Sequence, residues 1–301
     1  MTDQTTSRSI GTLRNSGRNS AWNSGWKSAA LGAALAVSVS FGATKPAQAL
    51  TIVLNFVPAA TTDLFNVGTL PETFATWGFT GLDLAAIRAA TLTAVRTDYL
   101  GYPTVGSNAL SPLPNGKELN INFTFSSGLT GPGNGDTEWY YMAIGDANPN
   151  QGFLGQACLG CVRNSSGVSG TANGGIVGSV LTDTISGLLS LATTDAQRIN
   201  LLAGTVSHEI GHTLTLVHPN GALPNPGASA YSIMGTGASP TLMPSAERVK
   251  DRAFAYSEFS SLVTSVGLRN VTPIPEPGTA LLLAMGVMVC AWRLRGARTA
   301  G

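Results

Sequence analysis

Apolar and polar positions along the chain predict an ordered series of elements. Leu50–Val57 alternates, with Ile52, Leu54 and Phe56 on one side, and reads as a first strand. Thr80-Gly81-Leu82-Asp83 resembles a capping box, opening a helix that runs to about Leu100 with Leu84, Ile87, Thr91 and Val95 on one stripe. Leu119–Phe125 alternates almost perfectly and predicts a half-buried strand; Glu138–Ile144 and Gly175–Leu181 predict two more. Thr193 and Thr194, just before Asp195, predict the start of a second helix. Ser245–Val266 carries Val249, Ala253, Tyr256, Val263 and Val266 at helical spacing and predicts a last one.

Between these runs, Ser126–Asp136 and Gly145–Gly174 are dense in glycine and small polar residues and read as loops. The faint calcium-repeat character of Gly131–Asp136 is one copy, and a plain turn explains it. The longer loop contains Cys158 and Cys161, the only cysteines between residues 50 and 277, and a local disulfide pinning a flap beside a cleft is expected.

Candidate chemistry concentrates in one place. All three histidines of the 301-residue chain fall within His208–His218, inside the run HEIGHTLTLVH. His208 and His212, four apart, share one helix face and can converge on one ion. Glu209 stands about 100° round the helix, where it reaches a metal-bound water instead of the metal. Zinc needs a further protein ligand and an open position for chemistry. His218 would lie roughly 9 Å beyond His212 on a straight helix, so the chain must turn soon after His212 if it is to join.

HExxHxxxxxH resembles the zinc site of the metzincin metallopeptidases, HExxHxxGxxH followed by a methionine turn. The resemblance implies zinc ligands His208, His212 and His218, the catalytic base Glu209, and a methionine turn at Met234 in Tyr231-Ser232-Ile233-Met234-Gly235. It also implies an α+β fold: a two-lobed peptidase with a twisted mixed sheet, a backing helix, an active-site helix and a C-terminal helix in the lower lobe. The cofactor is then Zn2+ and the partner a protein or peptide substrate. One position departs, because the family's turning glycine is Thr215, and a β-branched residue at positive φ is strained. Either the turn takes another conformation or His218 is not the third ligand. Glu247-Arg248-Val249-Lys250-Asp251 resembles the downstream glutamate motif of the gluzincins and offers Glu247 as a rival ligand, although a solvated helix face explains it as well. Tyr231 is the nearest candidate for an oxyanion partner, but it precedes the methionine.

The two ends change the picture of charge and location. Residues 1–49 combine a basic segment, the apolar run Ala29–Ala43 and Ala47-Gln48-Ala49, and predict a signal peptide cut after Ala49. Pro275-Glu276-Pro277, an apolar run from Gly278 to Trp292 and three closing arginines resemble a PEP-CTERM sorting tail at 273–301. The zinc-peptidase domain is then 50–272. These ends imply Sec export, signal peptidase, an exosortase-like enzyme and an exopolysaccharide matrix as partners. They imply a secreted or surface protein of a Gram-negative bacterium, transiently anchored in the inner membrane by a C-terminal transmembrane helix. Residues 50–277 hold 9 Lys+Arg against 15 Asp+Glu, a balance of −6 that argues against nucleic-acid binding. The competing reading is a zinc-containing surface or matrix protein without catalysis. Glu209 separates the two, since a structural site has no use for a carboxylate beside its ligand.

Overall fold

A computed structural model describes residues 49–56, 61–62, 68–70, 74–126, 131, 138–148, 152–162, 175–237 and 242–271. All of these lie in one compact unit, Lys45–Gly301. Its centre is a mixed sheet. Strand β1 (Leu50–Phe56) runs parallel to β5 (Ile121–Ser126) on one side and to β6 (Trp139–Asn148) on the other. β8 (Ile176–Leu181) continues the parallel set beyond β6, and β7 (Gly155–Ala157) closes that edge antiparallel. A short hairpin, β2 (Thr61–Thr62) and β3 (Gly68–Leu70), pairs with the end of β6. Being central and parallel, β1 is buried on both faces: Thr51, Val53 and Asn55 are as inaccessible as Ile52, Leu54 and Phe56. The alternation predicted the strand but named only one of its buried faces.

Two helices cover the sheet. α1 (Leu84–Leu100) starts one turn later than the Thr80 capping box suggested: Asp83 caps it, accepting from the Ala86 N–H at 2.8 Å. Thr80 serves the other helix, donating through its N–H and hydroxyl to the carboxylate of Asp195. α3 (Asp195–Thr213) opens on a complete capping box, Thr194 with Gln197. A short helix, α2 (Thr182–Ser186), precedes it. α1 and α3 are joined by hydrogen bonds as well as apolar packing. The Tyr99 hydroxyl donates to the Ser207 carbonyl, and the Ser207 hydroxyl donates to Asp98. Residue 208 therefore follows a residue held from both its backbone and its side chain.

Four expectations are corrected. The segment Gly145–Gly174, read as a loop, contains the end of β6 and the whole of β7. The strand foreseen at Leu119–Phe125 is broken at Asn120, leaving β4 (Lys117–Leu119) to pair with β9 (Leu268–Asn270) in a separate ribbon. The single helix foreseen over Ser245–Val266 is a 3-10 turn (Ser245–Val249), an extended stretch and then α4 (Tyr256–Val266). The stretch between is extended because its backbone is paired elsewhere: the Asp251 and Ala253 carbonyls accept from the N–H groups of Ala228 and Ile233. The expected C-terminal transmembrane helix is also withdrawn, together with the membrane-anchored localisation built on it. Among the described residues no helix is long and apolar enough to cross a membrane, and the longest, α3, carries charged and polar side chains along its length. The apolar run of the tail, the signal segment, the glycine–aspartate turn beyond Gly131 and residues 163–174 of the long loop lie outside the described residues.

The capping box makes α3 testable. Thr194→Ala should cost about 1 kcal/mol, lowering Tm by roughly 2–4 °C for a domain of this size. An unchanged thermal midpoint by circular dichroism would show that tertiary packing alone holds the helix start.

Candidate metal centre

Near its C-terminus α3 presents His208 and His212 on one face, with Glu209 beside them. The helix ends one residue later in a Schellman turn. The Leu216 N–H donates to the Gly211 carbonyl at 2.9 Å, and the Thr215 N–H donates to the His212 carbonyl at 3.0 Å. This turn requires a left-handed residue between them, and Thr215 takes that conformation with φ of 81°. Neither alternative left open by the sequence is taken: the backbone keeps the strained left-handed turn at Thr215, and His218 still reaches the other two histidines. Thr215 is exposed, so its side chain meets no packing obstacle to the conformation.

The turn brings His218 back to the helix. The Nε2 atoms of His208 and His212 are 3.1 Å apart, those of His208 and His218 3.1 Å, and those of His212 and His218 3.0 Å. Three nitrogens around one tetrahedral zinc stand about 3.3–3.4 Å apart, so an opening of a few tenths of an ångström admits the ion. These are the one group of three or more potential metal-ligating side chains that converge among the described residues. The tautomers follow from the partners. His208 Nδ1 lies 2.9 Å from the Ile233 carbonyl and His212 Nδ1 lies 2.8 Å from the Leu216 carbonyl. A carbonyl only accepts, so each Nδ1 carries the proton and each Nε2 keeps its lone pair for a metal. Burial, reinforced by the neighbouring imidazoles, pushes His208 well below its usual pKa; burial likewise lowers His212 and His218. All three are held neutral, the form that binds metal.

The Ile233 carbonyl belongs to the turn that carries Met234. Met234 is fully buried against α3, and a Cβ built on Gly211 would stand 2.6 Å from its Sδ. Glycine at 211 is thus what lets the methionine turn approach the helix beneath the histidines. The turn is braced from behind. Buried Arg252 donates through Nη1 to the Ser232 and Ile233 carbonyls at 3.3 and 3.2 Å. Glu258 accepts from the Ser232 hydroxyl at 2.9 Å and from the Ala255 N–H at 2.7 Å. Neither Arg252 nor Glu258 was legible as a site residue, because each reaches a turn about twenty residues or more earlier in the chain, Arg252 through backbone carbonyls and Glu258 through the Ser232 hydroxyl.

The histidines face a cleft of about 480 Å³, lined by Gly152–Ala157 from the sheet edge and by Thr236, Gly237, Arg248 and Arg252 from the segment after His218. Glu209 also lines it and is only 5% exposed. Burial pushes its carboxyl up to about 8, with the Arg248 charge pulling the other way. A Cβ on Gly155 would come within 2.8 Å of the Glu209 carboxyl arm, so bare backbone at the sheet edge is what seats it. The rival ligand is engaged elsewhere. Glu247 accepts from Lys250 at 2.6 Å and from the Ser229 hydroxyl at 2.7 Å, outside the histidine group. Tyr231 does not line the cleft.

The cysteine pair is a disulfide, Cys158–Cys161, and its loop touches the centre more directly than a flap would. The Gly160 N–H donates to the His212 carbonyl at 2.8 Å and the Val162 N–H to the Thr213 carbonyl at 3.1 Å. These carbonyls belong to the last turn of α3, which has no intrahelical partner for them. The disulfide loop is therefore a cap on the helix that carries the histidines.

No protein-family model matches this chain, and no curated protein matches it. Among solved structures it is similar to archaemetzincin from Methanopyrus kandleri, with 12% sequence identity, a TM-score of 0.33, and coverage of 74% of this chain and 98% of that one.

Two measurements test this construction. Thr215→Gly removes a strain of about 1–3 kcal/mol, partly offset by greater freedom of the unfolded chain. Urea denaturation should show a net gain of about 1 kcal/mol, and a lower midpoint than the parent would refute the strained turn. Cys158→Ser with Cys161→Ser should cost about 2 kcal/mol and also weaken metal binding in a chelator competition. Lost stability with unchanged metal affinity would show that the loop caps the helix without steadying the histidines.

Proposed function

We propose that this protein is a zinc-dependent metallopeptidase of the metzincin type. The carrying observation is the convergence of the His208, His212 and His218 Nε2 atoms beside a buried glutamate in an open cleft. The methionine turn under His208 and the HExxHxxxxxH order support the same reading. His208, His212 and His218 would hold the zinc, which when bound supplies a Lewis acid for the scissile carbonyl and lowers the pKa of a coordinated water. A divalent charge beside Glu209 favours its ionised form. Glu209 then accepts a proton from the attacking water and returns it to the leaving amine. The peptide has a natural place along β7, which uses only one edge for β8 among the described residues, so its other edge can pair with an extended chain.

The competing structural reading finds less support. A structural zinc site closes its coordination with protein groups. Among the described residues three histidines meet and no fourth ligand joins them, while a carboxylate is kept buried beside them at a cost in desolvation.

Metal analysis and a peptide-library assay on the full chain test the proposal together. One zinc per chain is expected, retained by Glu209→Ala, which should lose roughly 10²–10⁴-fold in cleavage rate. His218→Ala should lose the metal and Glu247→Ala keep it. Stoichiometric zinc with no cleavage by the wild type would sink the peptidase reading, and loss of zinc only in Glu247→Ala would sink the ligand set.

A further inference from the structure

The cleft contains a charged side chain that the chemistry above leaves without work. Arg248 closes the 3-10 turn Ser245–Val249, lines the cleft and is half-buried. Its charge acts on both Glu209 and His218, which places the guanidinium close to the reacting centre. Yet no ion pair forms between Arg248 and Glu209, and among the described residues no hydrogen bond ties the guanidinium down. The nearby cations differ. Arg252 is committed to the Ser232 and Ile233 carbonyls, and Lys250 to Glu247. Glu209 is the one acid lining the cleft among the described residues.

A guanidinium presents a planar fork of donors that matches a carboxylate in two parallel hydrogen bonds. Partly burying it without a partner is costly, and burial already draws its affinity for the proton below the ordinary arginine value. Gly237 lies beside the fork without a side chain of its own: a Cβ there would stand 3.5 Å from Arg248 Nη2.

We propose that Arg248 is a specificity residue that binds a carboxylate of the peptide next to the scissile bond. The proposal deepens the peptidase reading and rests on it for where the peptide lies. The carboxylate is either an aspartate or glutamate side chain or the free C-terminus of a short substrate. Arg248 itself takes no part in moving protons.

The test uses the zinc-loaded full chain and matched fluorogenic peptides that differ only beside the scissile bond: glutamate, its isostere glutamine, and a glutamine peptide ending there as acid or amide. Cleavage gives kcat and KM. Anisotropy with Glu209→Ala, which holds peptide without turnover, gives binding that does not depend on activity. At least one carboxylate peptide should bind about 10- to 100-fold tighter than its neutral partner, the worth of a charge-assisted hydrogen bond. In cleavage the preference should lie in KM. Arg248→Gln should bring the ratio to parity, and Arg248→Glu should reverse it in favour of a lysine peptide. Which of the two carboxylates gains identifies the source. Equal binding of charged and neutral peptides to the parent, or a preference that survives Arg248→Gln, overturns the proposal. If no peptide is cleaved but the Arg248-dependent preference appears in anisotropy, the peptidase reading falls and the carboxylate site stands. Melting temperature and zinc content of each variant separate loss of recognition from loss of fold.

Discussion

A straight helix cannot bring His218 to an ion shared by His208 and His212, so the metal centre depends on how α3 stops. It stops in a Schellman turn whose left-handed position is filled by a threonine. The strain is local, but its benefits are spread over several bonds. The turn satisfies the Gly211 and His212 carbonyls, aims the Leu216 carbonyl at His212 Nδ1, and reverses the chain toward His218. A β-branched residue is held at positive φ because the surrounding structure over-determines the conformation.

The rest of the site is built to keep that end of the helix still. Carbonyls that the helix cannot satisfy are taken by the disulfide loop, and the ring of His208 is aimed by a carbonyl that Arg252 also grips. Met234 packs where Gly211 gives up its side chain. The imidazoles of His208 and His212 are thereby fixed in tautomer and direction by backbone groups outside the histidine cluster, which is how proteins raise affinity at such sites. The sheet contributes in the same manner, through an edge strand whose glycine comes close enough to seat Glu209.

Burial sets the electrostatics of the cleft. It disfavours charge on the histidines, which keeps their Nε2 lone pairs free, and it resists ionisation of Glu209. Arg248 sits at the border of the same cleft with its charge uncommitted, where it can meet negative charge brought by a ligand.

Much of this was legible in the amino-acid order, and for local reasons. Helix periodicity, the Thr194 capping box, the alternation of the strands and the four-residue spacing of His208 and His212 are all encoded within one or two turns of chain, so pattern alone reveals them. The same locality explains the misjudgements: Val249–Val266 keeps helical spacing, yet residues 250–255 are extended because their backbone pairs with a turn twenty residues earlier. What only the tertiary structure decided was long-range. Thr215 accepts a conformation its side chain disfavours, Glu247 is claimed by Ser229 and Lys250, a disulfide loop caps a helix fifty residues downstream, and Arg248 comes to rest beside Glu209. Sequence determined which residues could hold a metal and activate a water. The packing of distant segments decided that His218, and not Glu247, meets the other two, because a strained φ and a claimed carboxylate are properties of the surroundings and not of the residue.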